Sequence, residues 1–171
     1  MFADELAARR DAVIDRWIES VMDAYPEQTA RFLKDQPNRF ANPVGANLRE
    51  GLALIVDGVV AGSSPDDLRE ALDLVIRVRA VQEFSPAAAV GFIFDLKTIV
   101  RDLVADGSEL PEDFDRRVDS LGLVAFEVYV GCREQLWSIR AEEIRNQSLG
   151  ILERMQEWRE KRARESETAS S

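Results

Sequence analysis

The stretch Arg79–Phe94, "RAVQEFSPAAAVGFIF", decides the fold. It carries an apolar run up to a Ser-Pro pair, then begins a second run with small residues ahead of aromatics. Ser85 is a favourable helix N-cap, and Pro86 suits the first helical turn, where its missing N–H has no intrahelical partner in any case. The stretch therefore reads as helix end, cap and helix start. The same punctuation recurs at Asn42-Pro43 and Ser64-Pro65, and Pro26 and Pro111 also stand ahead of runs with helical period. Asp66 and Asp67 place negative charge on a first turn, where the helix dipole favours it. No stretch alternates apolar and polar residues with the Val, Thr and Tyr enrichment of a strand. The expectation is an all-α fold, with helices at about 4–24, 27–34, 44–61, 66–83 and 86–105, and a last helix from Pro111 to about Arg162. The segment "DQPNRFANPV" reads as a loop.

The last helix is far longer than a typical globular helix. Gly122 and Gly131 weaken it by about 1 kcal/mol each relative to alanine, which marks the place for a bend. Beyond them Trp137, Ala141, Ile144, Ser148, Ile151, Met155 and Trp158 recur at spacings of four and three. That is a heptad seam, thinned in the middle by Ala141 and Ser148. Glu142, Glu143, Arg145, Glu153, Arg154, Glu157 and Arg159 occupy the other faces. The expected organisation is a helical domain over 1–131, an extension of the last helix over 132–162 that forms a coiled-coil homodimer, and a disordered tail over 163–171. The competing reading folds that extension back onto its own domain.

Composition narrows the function classes. Apolar residues make up 46% of the 171-residue chain, which is enough for a substantial core. A formal net charge of -10 repels phosphate backbones and anionic lipid surfaces, so neither nucleic acid nor membrane is an expected partner. The single cysteine rules out an internal disulfide, and the acidic N-terminus does not read as a signal peptide, so a cytoplasmic location is expected. The absence of histidine removes Ser-His-Asp and Cys-His catalysis, histidine-based zinc sites and proximal-histidine haem binding together. No cofactor and no metal are expected.

The remaining chemistry-bearing groups are few. Adjacent carboxylates such as Asp66-Asp67, Glu112-Asp113 and Glu142-Glu143 do not face each other on a helix, so they read as caps and solvated faces. The segment "DGSELPEDFDRR" carries Pro111 where a calcium loop needs glycine. Cys132 stands beside Arg133, which would lower the thiol pKa if the side chains converged, although a packed helix face suits a cysteine better. Arg79 is the next member of a buried stripe formed by Leu68, Leu72, Val75 and Ile76, with Glu83 four residues on as a natural ion-pair partner. A cation there suits either a helix-end ion pair or the mouth of a pocket for an acidic ligand. Ala87 and Gly91 share a helix face, next to Phe84, Phe92 and Phe94. Small residues so placed suit a close helix crossing, the favoured reading, or a cavity. The candidate ligand-binding residues are accordingly Arg79, Gln82, Phe84, Gly91 and Phe92.

Several segments together resemble the RsbRD N-terminal domain family of RsbR-type co-antagonists of the RsbT kinase. They are "RWIESVMDAYPEQTARFLKDQPNRFANPVGANLREGL", "SSPDDLREALD", "IRVRAVQEFSPAAAVGFIFDLK" and "LVAFEVYVGCREQLWSIRAEEI". The resemblance implies a globin-like, non-haem sensor domain that dimerises, with the last helix leading out of it toward a STAS domain. The sequence ends at Ser171 without a STAS segment, so kinase capture and phosphorylation through that domain are not carried over. What the resemblance implies is a non-catalytic regulatory sensor or protein-interaction module of the stress response. The alternative is an accessory adaptor subunit docking on a larger redox or signalling complex.

Overall fold

In the computed structural model, residues 2–82, 84–105 and 109–168 are described, and every regular element among them is a helix. The elements are α1 (Phe2–Ala8), α2 (Arg10–Asp23), α3 (Glu27–Asp35), α4 (Pro43–Ala61), a 3-10 turn (Pro65–Leu68), α5 (Arg69–Val81), α6 (Pro86–Leu103) and α7 (Glu112–Thr168). The all-α expectation holds. Two local differences stand out, one near each end of the chain. The expected first helix is broken into α1 and α2 at Arg9, whose ψ of 10 lies outside helical range. The last helix runs to Thr168, so 163–168, expected as disordered tail, are helical, as the good helix formers Ala163, Arg164, Glu165 and Glu167 permit. Residues 169–171 of that expected tail lie outside the described residues.

The chain divides into two compact units, 1–133 and 134–171. In the first, α4 lies along α5, and α2 packs against both α4 and α6. Trp17, Met22, Leu48, Leu52, Ile55, Leu72, Ile76, Ile93 and Leu96 are fully enclosed there, and Val118, Leu121 and Ala125 of α7 join them. Gly51 permits the close approach of α4 and α5. A Cβ at that position would stand 2.7 Å from Val75 Cγ2 and 2.9 Å from the Ala71 carbonyl oxygen, so any side chain forces the helices apart.

Pro43, Pro65 and Pro86 act as the sequence suggests, each behind its cap, whereas Pro26 is itself the N-cap of α3 and brings no side-chain cap. The Ser85 hydroxyl accepts the Ala88 N–H at 3.2 Å, and Ser64 with Asp67 forms a reciprocal capping box. Helix α4 ends on Gly62, whose φ of 77 is the left-handed conformation that glycine adopts without steric cost.

Asn42 does more than cap. Its Oδ1 accepts the Gly45 N–H at 2.8 Å, while its Nδ2 donates to the carbonyls of Leu33 at 3.1 Å and Gln36 at 3.0 Å. One buried amide thus closes the C-terminal end of α3 onto the N-terminal start of α4. Gly45 leaves room for it, since a Cβ there would fall 2.8 Å from Asn42 Cγ. Replacing Asn42 with alanine removes the cap and the donor to the Gln36 carbonyl, while the Leu33 carbonyl keeps its bond from Arg49 Nη2 at 2.6 Å. The expected loss is about 2–4 kcal/mol, seen as a lower midpoint in chemical denaturation; Asn42→Asp should not restore it, because it keeps a cap acceptor but turns a buried carboxylate oxygen toward the Leu33 and Gln36 carbonyls.

Candidate functional site

Arg79 occupies the last turn of α5, in register with Leu72, Val75 and Ile76, and only 2% of it is exposed. Its guanidinium carbon lies 4.6 Å from the centre of the Phe84 ring, 5.1 Å from that of Phe92 and 5.9 Å from that of Tyr25. Nη2 donates to the Ala88 carbonyl at 3.0 Å, while the buried Nε and Nη1 have no hydrogen-bond partner among the described residues. The buried Tyr25 hydroxyl has none either. The sequence pairs Arg79 with Glu83, but Glu83 lies outside the described residues.

The walls of this cage come from α6, from the residue pair that follows α2 and from the joint between α5 and α6. Tyr25 follows α2 and meets Phe84 edge-on at 5.2 Å. Phe92 comes from α6 and is held by Trp17 of α2, whose ring lies 5.8 Å away and whose Nε1 donates to the Phe92 carbonyl at 2.8 Å. Phe84 sits in the joint between α5 and α6, where its N–H donates to the Arg79 carbonyl and its carbonyl accepts the Tyr129 hydroxyl of α7 at 3.2 Å. Aromatic faces attract a desolvated cation by about 2 kcal/mol each at best. Burying an unpaired ion costs several kcal/mol, so the rings and one carbonyl offset the penalty only in part. Burial accordingly holds the Arg79 guanidinium below its ordinary pKa, against a smaller opposing pull from Tyr25 and Asp95. Burial likewise pushes the Tyr25 phenol up, opposed by the Arg79 charge.

Of the expected ligand-binding residues, Arg79, Phe84 and Phe92 come together in this cage. Gln82 is exposed at its rim, where it lines a surface cleft of about 380 Å³ with Tyr25, Pro26, Thr29 and Phe84. Gly91 takes no part. Among the described residues a Cβ at Gly91 would meet nothing within 4 Å, and Ala87 is exposed, so the expected close helix crossing at this pair is not made. The packed stripe of α6 is instead Ala89, Val90, Phe92, Ile93 and Leu96, one register away. Sequence reading misses Tyr25 and Trp17 as parts of the cage. The Tyr25-Pro26 junction marks a helix boundary, but nothing local says that its ring turns toward α5.

Cys132 is buried, and its thiol lies 3.7 Å from an Asp73 carboxylate oxygen. Arg133 does not approach the thiol; its Nη1 donates to the Ala80 carbonyl at 3.3 Å. Burial first, then the Asp73 charge, pushes the Cys132 thiol up, with Arg77 opposing. The folded thiol therefore holds its proton more tightly than the unfolded one. Its contribution to stability is complete below the unfolded value of about 8.5 and is lost as pH rises through the folded value. At pH 8 the native protein should react with a disulfide reagent far more slowly than the denatured chain, as followed by released thiolate absorbance. Among the described residues, no group of three or more Cys, Asp or Glu is placed to hold a metal ion, and no helix is long and apolar enough to cross a membrane.

In the second unit, the heptad positions face solvent. Trp137 is 66% exposed, Ile144 65%, Ile151 51%, Met155 48% and Trp158 58%, with Ala141 and Ser148 also exposed. Ser148 satisfies its hydroxyl on the Ile144 carbonyl at 2.9 Å, so it adds no unpaired donor to the stripe. Leu152, beside the stripe, widens it. The Arg162 guanidinium lies over Trp158 at 4.7 Å.

An uncharacterized protein of Archaeoglobus fulgidus is 22% identical over 139 residues, covering 78% of this chain and 83% of its own length. No solved structure matches the chain. The family model for the RsbT co-antagonist protein rsbRD N-terminal domain matches residues 11–144, from α2 through the buried part of α7 and into the start of the seam. The helical domain that encloses Arg79, together with the first heptad positions, thus makes this chain a member of the rsbRD N-terminal domain family.

Proposed function

We propose that the protein is a non-catalytic regulatory module of cytoplasmic stress signalling. It works as a homodimer, taking its input in the helical domain and presenting the last helix for pairing. The observation that carries this reading is the stripe Trp137, Ala141, Ile144, Ser148, Ile151, Met155 and Trp158, exposed along one face in a family named for an RsbT co-antagonist. Exposed large apolar residues repeating at heptad spacing favour a second helix of like sequence, because each residue then fills the space between its counterparts. The lack of histidine suits a binding role better than proton transfer. Light scattering at micromolar concentration tests the dimer directly; a monomer mass sinks it.

A second reading, an adaptor subunit on a larger redox or signalling assembly, draws on exposed apolar residues of the first unit. Leu123 is 71% exposed and Phe126 50%, and neither belongs to the heptad set. A monomer in light scattering favours this reading.

A further inference from the structure

We propose that Arg79 anchors a gated site for a small monocarboxylate with a compact apolar body. The carboxylate pairs with Arg79, and the body lies in the cleft between Tyr25, Pro26 and Phe84. The inference rests on the regulatory reading and deepens it by naming the chemical class of the input.

Three observations converge on it. Arg79 is only 2% exposed, yet among the described residues its Nε and Nη1 hydrogens have no acceptor. A buried charge-bearing donor without an acceptor is rare enough to require an account, and an anionic ligand supplies one. Second, two of the rings around the guanidinium, Tyr25 and Phe84, also line the cleft of about 380 Å³. Third, the Tyr25 hydroxyl, also unpaired among the described residues, belongs to a residue of the same cleft and can donate to an anion once one arrives.

Charge decides the class of ligand. A single guanidinium facing three aromatic rings neutralises one negative charge, so a monocarboxylate leaves the cage neutral. A phosphate dianion would leave a surplus charge and extra oxygens without donors in an apolar enclosure, which is costly. A carboxylate has two oxygens and forms short, charge-assisted bonds to guanidinium nitrogens. Phe84 is the gate. It is only partly buried and lies in the non-helical joint between α5 and α6, and its backbone is fixed by the Arg79 carbonyl and the Tyr129 hydroxyl. Its ring both covers the guanidinium and lines the cleft, so turning that side chain aside opens the one to the other.

The test is a titration of the full chain with benzoate, benzyl alcohol and inorganic phosphate, followed by the Arg79 Nε–H resonance in ¹⁵N–¹H spectra. Benzoate is expected to shift that resonance downfield and saturably, while benzyl alcohol and phosphate leave it in place. Arg79→Met should weaken benzoate binding by roughly tenfold to a hundredfold, the value of a charge-assisted pair. If that variant does not fold, the wild-type resonance decides by itself. No saturable shift with benzoate overturns the proposal. So does an equal response to benzyl alcohol, which would mean an apolar cleft only, or an equal response to phosphate, which would mean an unselective anion site. Light scattering on the same samples reports the dimer separately, so failure of the site and failure of the dimer are told apart.

Discussion

Replacing Trp17 with alanine is expected to cost about 3–5 kcal/mol, a large share of the stability of a domain this size. At roughly 2–4 °C per kcal/mol for a chain of this length, thermal unfolding should begin about 10 °C lower. The size of the effect follows from what the indole does. It is fully enclosed between α2 and α6, and its Nε1 donates to the Phe92 carbonyl at 2.8 Å. Alanine removes most of that volume, and the surrounding helices relax only in part. Trp17→Phe separates volume from hydrogen bonding, since it keeps most of the ring and loses the donated bond. It should cost only about 1–2 kcal/mol, because the filled volume matters more here than the hydrogen bond. The substitution also reaches Arg79, because the Phe92 ring that Trp17 holds stands 5.1 Å from the guanidinium. A Trp17→Ala protein that kept its full thermal stability would show that α2 and α6 do not pack through this indole.

The fold was legible because its punctuation is local. Ser85-Pro86, Ser64-Pro65 and Asn42-Pro43 each cap the helix that they precede, and cap chemistry depends on residues three positions apart. The dual role of Asn42 was not legible, because its amide reaches back to Leu33 and Gln36 across a loop. The candidate site divides in the same way. The stripe Leu72, Val75, Ile76 places Arg79 inward by helical period alone. Its cage depends on Tyr25 and Trp17, brought from far along the chain by α2, and no local pattern encodes that approach. Gly91 misled for a related reason: a small residue in a helix shows that a neighbour would fit, not that one is there. At Gly51 and Gly122 the neighbours are present, Val75 and Phe94 respectively. The difference is set by which face of the helix packs, and α6 turns Phe92 and Ile93 inward rather than Gly91.

The double substitution Ile144→Glu with Ile151→Glu is expected to convert the proposed dimer into a monomer while leaving the fold of the chain intact. Both isoleucines are exposed in the single chain, at 65% and 51%, so glutamate at these positions removes no buried contact within it. Glutamate is also the better helix former, by a few tenths of a kcal/mol, so α7 should not fray. The whole effect then falls on association. In a two-fold dimer each substitution acts twice, and burying an isoleucine contributes about 1.5–3 kcal/mol. Two substitutions therefore remove about 6 kcal/mol or more, a rise in the dissociation constant of roughly ten-thousandfold. Four carboxylates brought together along one seam add repulsion to that loss, stronger at low salt than at high. The measurement is light scattering with circular dichroism on the same sample: mass should halve, helical signal should persist at high protein concentration, and thermal unfolding of the Trp17 core should change little. Placing two glutamates off the seam instead, as Asn146→Glu with Gln156→Glu, controls for added charge and should leave the dimer whole. An Ile144→Glu, Ile151→Glu variant that stays dimeric would move the pairing surface away from these positions, to the exposed Leu123 and Phe126 of the first unit.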